Sequence, residues 1–459
     1  MPALLVRQLV GEFHVRFKSV MRQVNWHANI VGDVAQYNTI QEFQMKKVRC
    51  LGVLFLVIAL AVFLIGCRNP GDDDEYYGGG FGGGGNSSRE VQNMPGFPGG
   101  PGGNGVGGAG GSGEAGVATI QAQISFLLDV HNDSENLAYN DFTVRANLTN
   151  ETLTTQQDLN FQRNITVRIL PPVGQTAPRI ITGDDSGESL FRIRGGTTLV
   201  LYNMIVQERG NHNRGNQLIA VDRNANLEMN GHSEITGGRS RAVVVNPDSS
   251  LIMRDWARIH GNSHTGAGGA VQLSGADAAL RMYGRASIDD NHAASGGGVQ
   301  AHNGARVVMR GYSAIHNNEA VNDGGGVTLT AANNSRLYMY ENASIHNNDA
   351  NNGGGVHMIS SDHSGHYLIM RGNNISIHSN TAGNRGGGVF LHGVQAHRVF
   401  IYNGTIYGGS GTNPNTASTN DALHGPDTAV LWGDSHNNIP WLGTNGTNDT
   451  ISVEYGYLL

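Results

Sequence analysis

Between residues 296 and 329 the chain reads Gly296-Gly297-Gly298-Val299-Gln300-Ala301-His302, then Arg306-Val307-Val308-Met309-Arg310, then Ile315-His316-Asn317-Asn318, and then Gly324-Gly325-Gly326-Val327-Thr328-Leu329. The first motif therefore returns after 28 positions, with two others between its copies. Each segment alternates apolar and polar residues, the period-two pattern of a strand with one buried face. Working outward, an apolar-x-Met strand recurs at Leu227/Met229, Leu251/Met253, Leu280/Met282, Val307/Met309, Leu337/Met339 and Leu368/Met370, ending in Val399/Ile401. Ile-x-x-Asn recurs at Ile259/Asn262, Ile288/Asn291, Ile315/Asn318, Ile345/Asn348 and Ile377/Asn380. A glycine-rich motif precedes the third strand at Val271/Leu273, Val299, Val327/Leu329, Val356/Met358 and Val389/Leu391. Successive Met positions are 24, 29, 27, 30 and 31 residues apart.

One such unit cannot close a core alone, because each strand is apolar on one face only. Stacking units along an axis puts Met on Met, Ile on Ile and Val on Val about 4.8 Å apart, every strand pairing in parallel with its neighbours. The pattern predicts an all-β chain folded as a parallel β-helix of about 28 residues per coil and roughly ten or eleven rungs. The coil is expected to be right-handed, as parallel crossovers overwhelmingly are. Triple glycines belong at a corner where φ is positive, and the repeated Asn in a turn where its amide serves backbone groups of adjacent rungs. Propeller blades, at about 40 residues and four strands, are too long for this unit.

Composition agrees. Of 459 residues 67 are Gly and 15% are charged, against averages of about 7% and about 25%. That excludes helical bundles, and the clustered glycines exclude collagen. A net charge of −7 with a pI near 6.2 gives no basic footprint for nucleic acid. Two cysteines do not make a disulfide framework.

The chain divides further. Residues 1–44 show no signal or domain pattern and are read as an over-called start. Residues 45–66 carry Met45-Lys46-Lys47-Val48-Arg49, then an uncharged apolar run from 51 to 64. Leu64-Ile65-Gly66-Cys67 closes it in the manner of a bacterial lipoprotein signal, with Cys67 as the lipidated residue. A spanning signal anchor is the competing reading, since the apolar run is at the short limit for a bilayer helix. Residues 67–116, with an acidic tetrad at 72–75 and runs of Gly, are expected to form a disordered tether. A Gly-rich coil of that length spans roughly 35 to 40 Å. Residues 117–210 read as a cap and irregular first rungs, with strands over 120–128, 165–170 and 199–206. Residues 211–407 are the repeat, and 408–459 a long loop and C-terminal cap.

The pairing of Gly-Gly-(Gly/Ala)-Val, complete in Gly268-Gly269-Ala270-Val271, with Ile-x-x-Asn resembles the paired repeats of the polymorphic outer membrane proteins. That family consists of autotransported bacterial surface adhesins with right-handed β-helical passengers. The resemblance covers residues 220–405 and implies the fold and a surface-binding role. The family prefers Phe where this chain has Ile, and its outer-membrane barrel has no counterpart here. Export is therefore expected by the lipoprotein route, to the cell envelope, at the outer membrane or cell surface.

Chemistry on the repeat is sparse. Lyases and hydrolases on β-helices use clustered acids, and Asp289-Asp290 is the one adjacent carboxylate pair within the clear repeats. These are read as turn residues, which favours a binding protein over a polysaccharide lyase or hydrolase; a purely structural envelope protein is the third alternative. No cofactor is expected. The position after the recurring Ile holds His260, Asp289, His316, His346 and His378. Stacking would bring His316, His346 and His378 into an outward column able to bind a metal or titrate together. Asp362, His363 and His366 form a second metal candidate in a lengthened loop. After each Met or its equivalent the next residue reads Arg254, Tyr283, Arg310, Tyr340, Arg371, Tyr402. Tyr and Arg are enriched at interface hot spots, so this strip is the candidate surface for a protein or glycan ligand, the membrane being the other partner through the lipid.

Overall fold

The computed structural model describes residues 88–95, 97, 118–133, 136–183, 188–208, 217–331, 334–360, 365–392, 397–408 and 413–419, with strand fragments at 423–424, 430–432, 438–439 and 451–453. The signal segment, Cys67 and the acidic tetrad lie outside the described residues. From residue 141 onward the chain is a parallel β-solenoid of about eight turns, each of about 29 residues. With partial rungs at both ends the Val column reaches ten strands, from Gln157–Asn160 to Leu423–His424.

Three columns of strands make the coil. In the Met column, Ser250–Met253, Ala279–Met282, Arg306–Met309 and Arg336–Tyr340 pair in register, with Met253, Met282, Met309 and Met339 directly opposed. In the Ile column, Ser287–Asp289, Ala314–His316 and Ser344–His346 align Ile288, Ile315 and Ile345. In the Val column, Val299–His302, Val327–Thr330 and Val356–Ile359 align Val299, Val327 and Val356. All of these inward side chains have no solvent exposure. Each is worth about 1.5–3 kcal/mol of transfer free energy when buried. Buried residues of all three columns belong to one hydrophobic cluster that runs along the coil, so the core is a continuous rod.

The corners follow from residue chemistry. Between the Ile and Val columns the first glycine of each triplet has positive φ, +64° at Gly296 and +62° at Gly324. The others serve close approach: a Cβ on Gly298 would lie 2.7 Å from the Gly326 carbonyl oxygen. After the Ile strand, Asp290, Asn317 and Asn347 take the left-handed conformation at φ +53°, +54° and +55°, which Asn and Asp tolerate best among residues with a Cβ. The next residue is the recurring Asn. Asn262, Asn291, Asn318, Asn348 and Asn380 are buried and linked by Nδ2-to-Oδ1 hydrogen bonds of 2.9–3.0 Å, the column ending at Asn415. Beyond them a further, five-stranded sheet runs from His292–Ser295 to Thr416–Thr419.

The N-terminal end departs from the sequence reading. The segment expected as a strand over 120–128 is an α-helix, Ile120–Val130, burying Ile120, Ile124 and Leu127. Those positions are spaced i, i+4, i+7, the helical period, and Thr119 caps the first turn by accepting from the Ala122 N–H. The Glu151 carboxylate accepts from the Ile120 and Gln121 N–H groups at 2.8 and 3.1 Å. Burial pushes the Glu151 carboxyl up, and these two backbone bonds draw it back down, leaving it above the usual value. Within the expected tether, Arg89–Glu90 pairs in parallel with Asp141–Arg145. Val91, Met94 and Phe97 are buried, with Phe97 edge-on to Phe126 at 5.2 Å. Those four apolar residues, Phe126 included, give this short piece of the Gly-rich stretch something to bury. At the far end, 451–453 pairs antiparallel to the strand Arg398–Ile406.

Candidate ligand-binding face

Between the Met and Ile columns the chain turns on a single residue of positive φ: Asp255 at +59°, Gly284 at +66°, Gly311 at +70°, Glu341 at +62°. The side chains on both sides of that residue point outward. One column is thus Arg254, Tyr283, Arg310, Tyr340, and beside it runs Trp256, Arg285, Tyr312. The two alternate out of phase, so each of the three rungs carries one guanidinium and one ring.

Contacts run along the coil. The Arg254 guanidinium lies 4.7 Å from the Tyr283 ring centre, and that of Arg310 lies 4.4 Å from the Tyr340 ring centre. Arg285 sits between two rings, 5.0 Å from Trp256 and 5.2 Å from Tyr312. Trp256 is 55% exposed and Tyr312 60%. His232 continues the second column, stacked on Trp256 at 6.1 Å. The acids at the corner are turned aside: Asp255 accepts the Gly231 N–H and Glu341 the Gly311 N–H, at 3.0 and 2.7 Å.

Residues Arg254 to Arg371 of the expected strip stand in one column, Arg371 pairing with Tyr340. It is interrupted at Tyr402, because the register slips there and Arg371 pairs with Asn403. The Tyr402 ring instead lies parallel to that of Phe400, 6.3 Å away along its own strand. Toward this end the face gains Tyr338, parallel to Tyr340 at 6.2 Å, and Tyr367, flanked by Arg336 and Arg398 at 5.5 and 5.4 Å. Sequence reasoning missed Trp256, Arg285 and Tyr312. The signal was present, two positions beyond each member of the first column, where strand alternation already returns to the same face.

The histidine column forms as stacked rings. His316 and His346 lie 4.9 Å apart with ring planes at 1°, and His346 and His378 4.9 Å apart at 5°. Metal–nitrogen bonds of about 2.0–2.1 Å reach nitrogens at most about 4.2 Å apart, so parallel rings translated by 4.9 Å do not present equivalent nitrogens to one ion. Burial, with the charges of His316 and His378, pushes His346 down to about 4. Asp289 is fully buried and held by Arg258, whose Nε donates to both carboxylate oxygens at 2.9 Å. Burial pushes the Asp289 carboxyl up, but the hydrogen bonds from Arg258 and Ser287 and the nearby positive charges bring it below its usual value. One member of the adjacent acid pair is thus sequestered from solvent. Asp362 and His363 lie outside the described residues. His366 is buried with both ring nitrogens occupied: Nδ1 accepts from the Ser335 N–H at 3.1 Å, and Nε2 lies 2.8 Å from the Ile359 carbonyl oxygen. Among the described residues no three His, Cys, Asp or Glu side chains are grouped to hold a metal ion.

An open depression of about 540 Å³ is lined by Arg192, Arg194, Asp222 and Arg223, among others. Two of its arginines are paired, Arg192 with Asp222 and Arg194 with Asp158.

No protein-family model, curated protein or solved structure matches the chain.

Proposed function

We propose that this chain is a cell-surface or outer-membrane lipoprotein whose β-solenoid displays an adhesin-like binding surface on the Arg/aromatic face of the Met column. One observation carries the reading: guanidinium and ring alternate along and across the rungs from Arg254 to Tyr340. A generic solvated face would mix Thr, Ser, Asn and Lys. Arg, Tyr and Trp are the side chains that dominate binding hot spots, and a rigid sheet holds them at little entropic cost. The lipoprotein-like sequence ending at Cys67 supports display of such a face at a membrane surface. The resemblance to the adhesin repeats points the same way.

The test replaces Tyr283, Tyr340 and Arg310 together by Ser in the full chain. Adhesion of cells displaying the variant should be lost while the melting temperature falls only slightly, exposed cation–π contacts being worth about 0.5–1 kcal/mol each. A large drop in melting temperature with adhesion retained assigns the strip to structure alone.

A further inference from the structure

Resting on that reading, we propose that the face takes a linear anionic glycan, its charge carried by uronate carboxylates or sulfate esters. The three lysines of the chain are Lys18, Lys46 and Lys47, so every cation beyond residue 49 is an arginine. Lysine and arginine serve solubility equally, but only arginine offers a planar fork that meets two oxygens of one carboxylate or sulfate and also lies flat on a ring. Here both properties are used at once. The Arg285 guanidinium sits between the rings of Trp256 and Tyr312, 5.0 and 5.2 Å from their centres, and the residue is exposed, so an oxyanion can reach it from solvent.

Charge spacing supplies the second argument. Arg254, Arg285 and Arg310 fall on successive rungs, alternately in the first and second columns. Rungs repeat every ~4.8 Å, about the advance of one sugar in an extended polysaccharide. In an extended chain with near two-fold screw symmetry successive sugars turn over, which sends their anionic substituents to alternate sides, as the arginines alternate. Tyr283 and Tyr312 occupy the intervening positions, where phenol hydroxyls suit sugar hydroxyl groups. The open face suits a polymer better than a small molecule. A single-stranded nucleic acid would stack its bases on exposed ring faces, yet guanidinium groups already lie over the rings of Tyr283, Trp256, Tyr312 and Tyr340.

The experiment titrates the full chain with heparin, polygalacturonate, neutral dextran and poly(dT). Binding to heparin, to polygalacturonate or to both, without binding to dextran, is expected. The triple variant Arg254→Lys, Arg285→Lys, Arg310→Lys keeps the net charge and should weaken that binding at least tenfold. The exposed single change Arg285→Lys, which leaves the other two contacts in place, should weaken it less but measurably. Equal affinity for dextran, tighter binding of poly(dT), or a triple variant that binds as well as the native chain overturns the proposal. Failure of the ligand class is distinguishable from failure of the face. If neither polyanion binds but the Ser triple variant still loses adhesion, the face stands and the glycan falls; if adhesion survives that variant, both fall.

Discussion

Nδ2 of Asn318 donates to Oδ1 of Asn348 at 3.0 Å, and the Asn318 backbone N–H donates to the same oxygen at 3.0 Å. Both side chains are buried. One amide therefore joins two rungs through main chain and side chain together, and it also serves the His316 and Ile288 carbonyls. In a buried column each such group must find a partner, and here the partners lie within the coil.

Replacing Asn318 by Leu leaves the carbonyls of Ile288 and His316 and the Oδ1 of Asn348 short of a donor. An unsatisfied buried group costs about 1–3 kcal/mol, so urea denaturation should show a loss in or above that range. The neighbouring Asn317→Gly change should be nearly neutral, since Asn317 sits at φ +54°, where Gly is at ease. Equal losses at the two positions would contradict the ladder's role.

Met309 lies opposite Met282 and Met339 with no solvent exposure. Met309→Asp puts an uncompensated charge into the rod and should cost several kcal/mol. Unchanged circular dichroism and melting temperature would show that the register is wrong.

Stability should depend on pH through two desolvated imidazoles, the half-buried His346 and the buried His357. His346 is pushed down to about 4, by burial first and then by His316 and His378, and His357 to about 3, by burial and by His392, His397 and His366. An unfolded His titrates near 6.5. Between these values the unfolded chain binds more protons, so stability is full above about pH 6.5 and is lost progressively as pH falls toward 4 and below. Chemical denaturation at pH 7.5 and pH 5.0 should show the drop, and His346→Gln should make it smaller. An identical pH dependence in the variant would remove His346 from the account.

The anchor is tested separately. Cys67→Ala should release the protein from the membrane fraction, and mass spectrometry of the native mature chain should find it beginning at a lipidated Cys67. Recovery of peptides from residues 1–44 in mature protein would contradict the lipoprotein reading.

Most of the coil was legible because its three signatures each have a physical cause: Met and Val alternate with period two, Asn-Asn turns a corner and links rungs, and glycine triplets let backbones approach. What escaped was local. Ile120, Ile124 and Leu127 carry a helical spacing, but within a chain of short strands their apolar character alone suggested another strand. Val91, Met94 and Phe97 lay within a glycine-rich background whose composition outweighed them. Half of the candidate face was visible as the Arg254-to-Arg371 alternation. The other half, Trp256, Arg285 and Tyr312, lay two positions further on, where strand alternation already returns to the same face, and was overlooked; Tyr402 was lost to a register slip that no spacing announces.

The most direct measurement is oxidative labelling of the full chain with and without saturating heparin, read residue by residue. Trp256 and Tyr312 are 55% and 60% exposed, so both label readily in the free protein. Protection of Trp256, Tyr312 and Tyr283 on binding, with Val321, 59% exposed in the strand Glu319–Asp323 of another sheet, unchanged, is the expected result. Heparin bound to the protein with labelling of these three aromatic residues unchanged would contradict the assignment of this face.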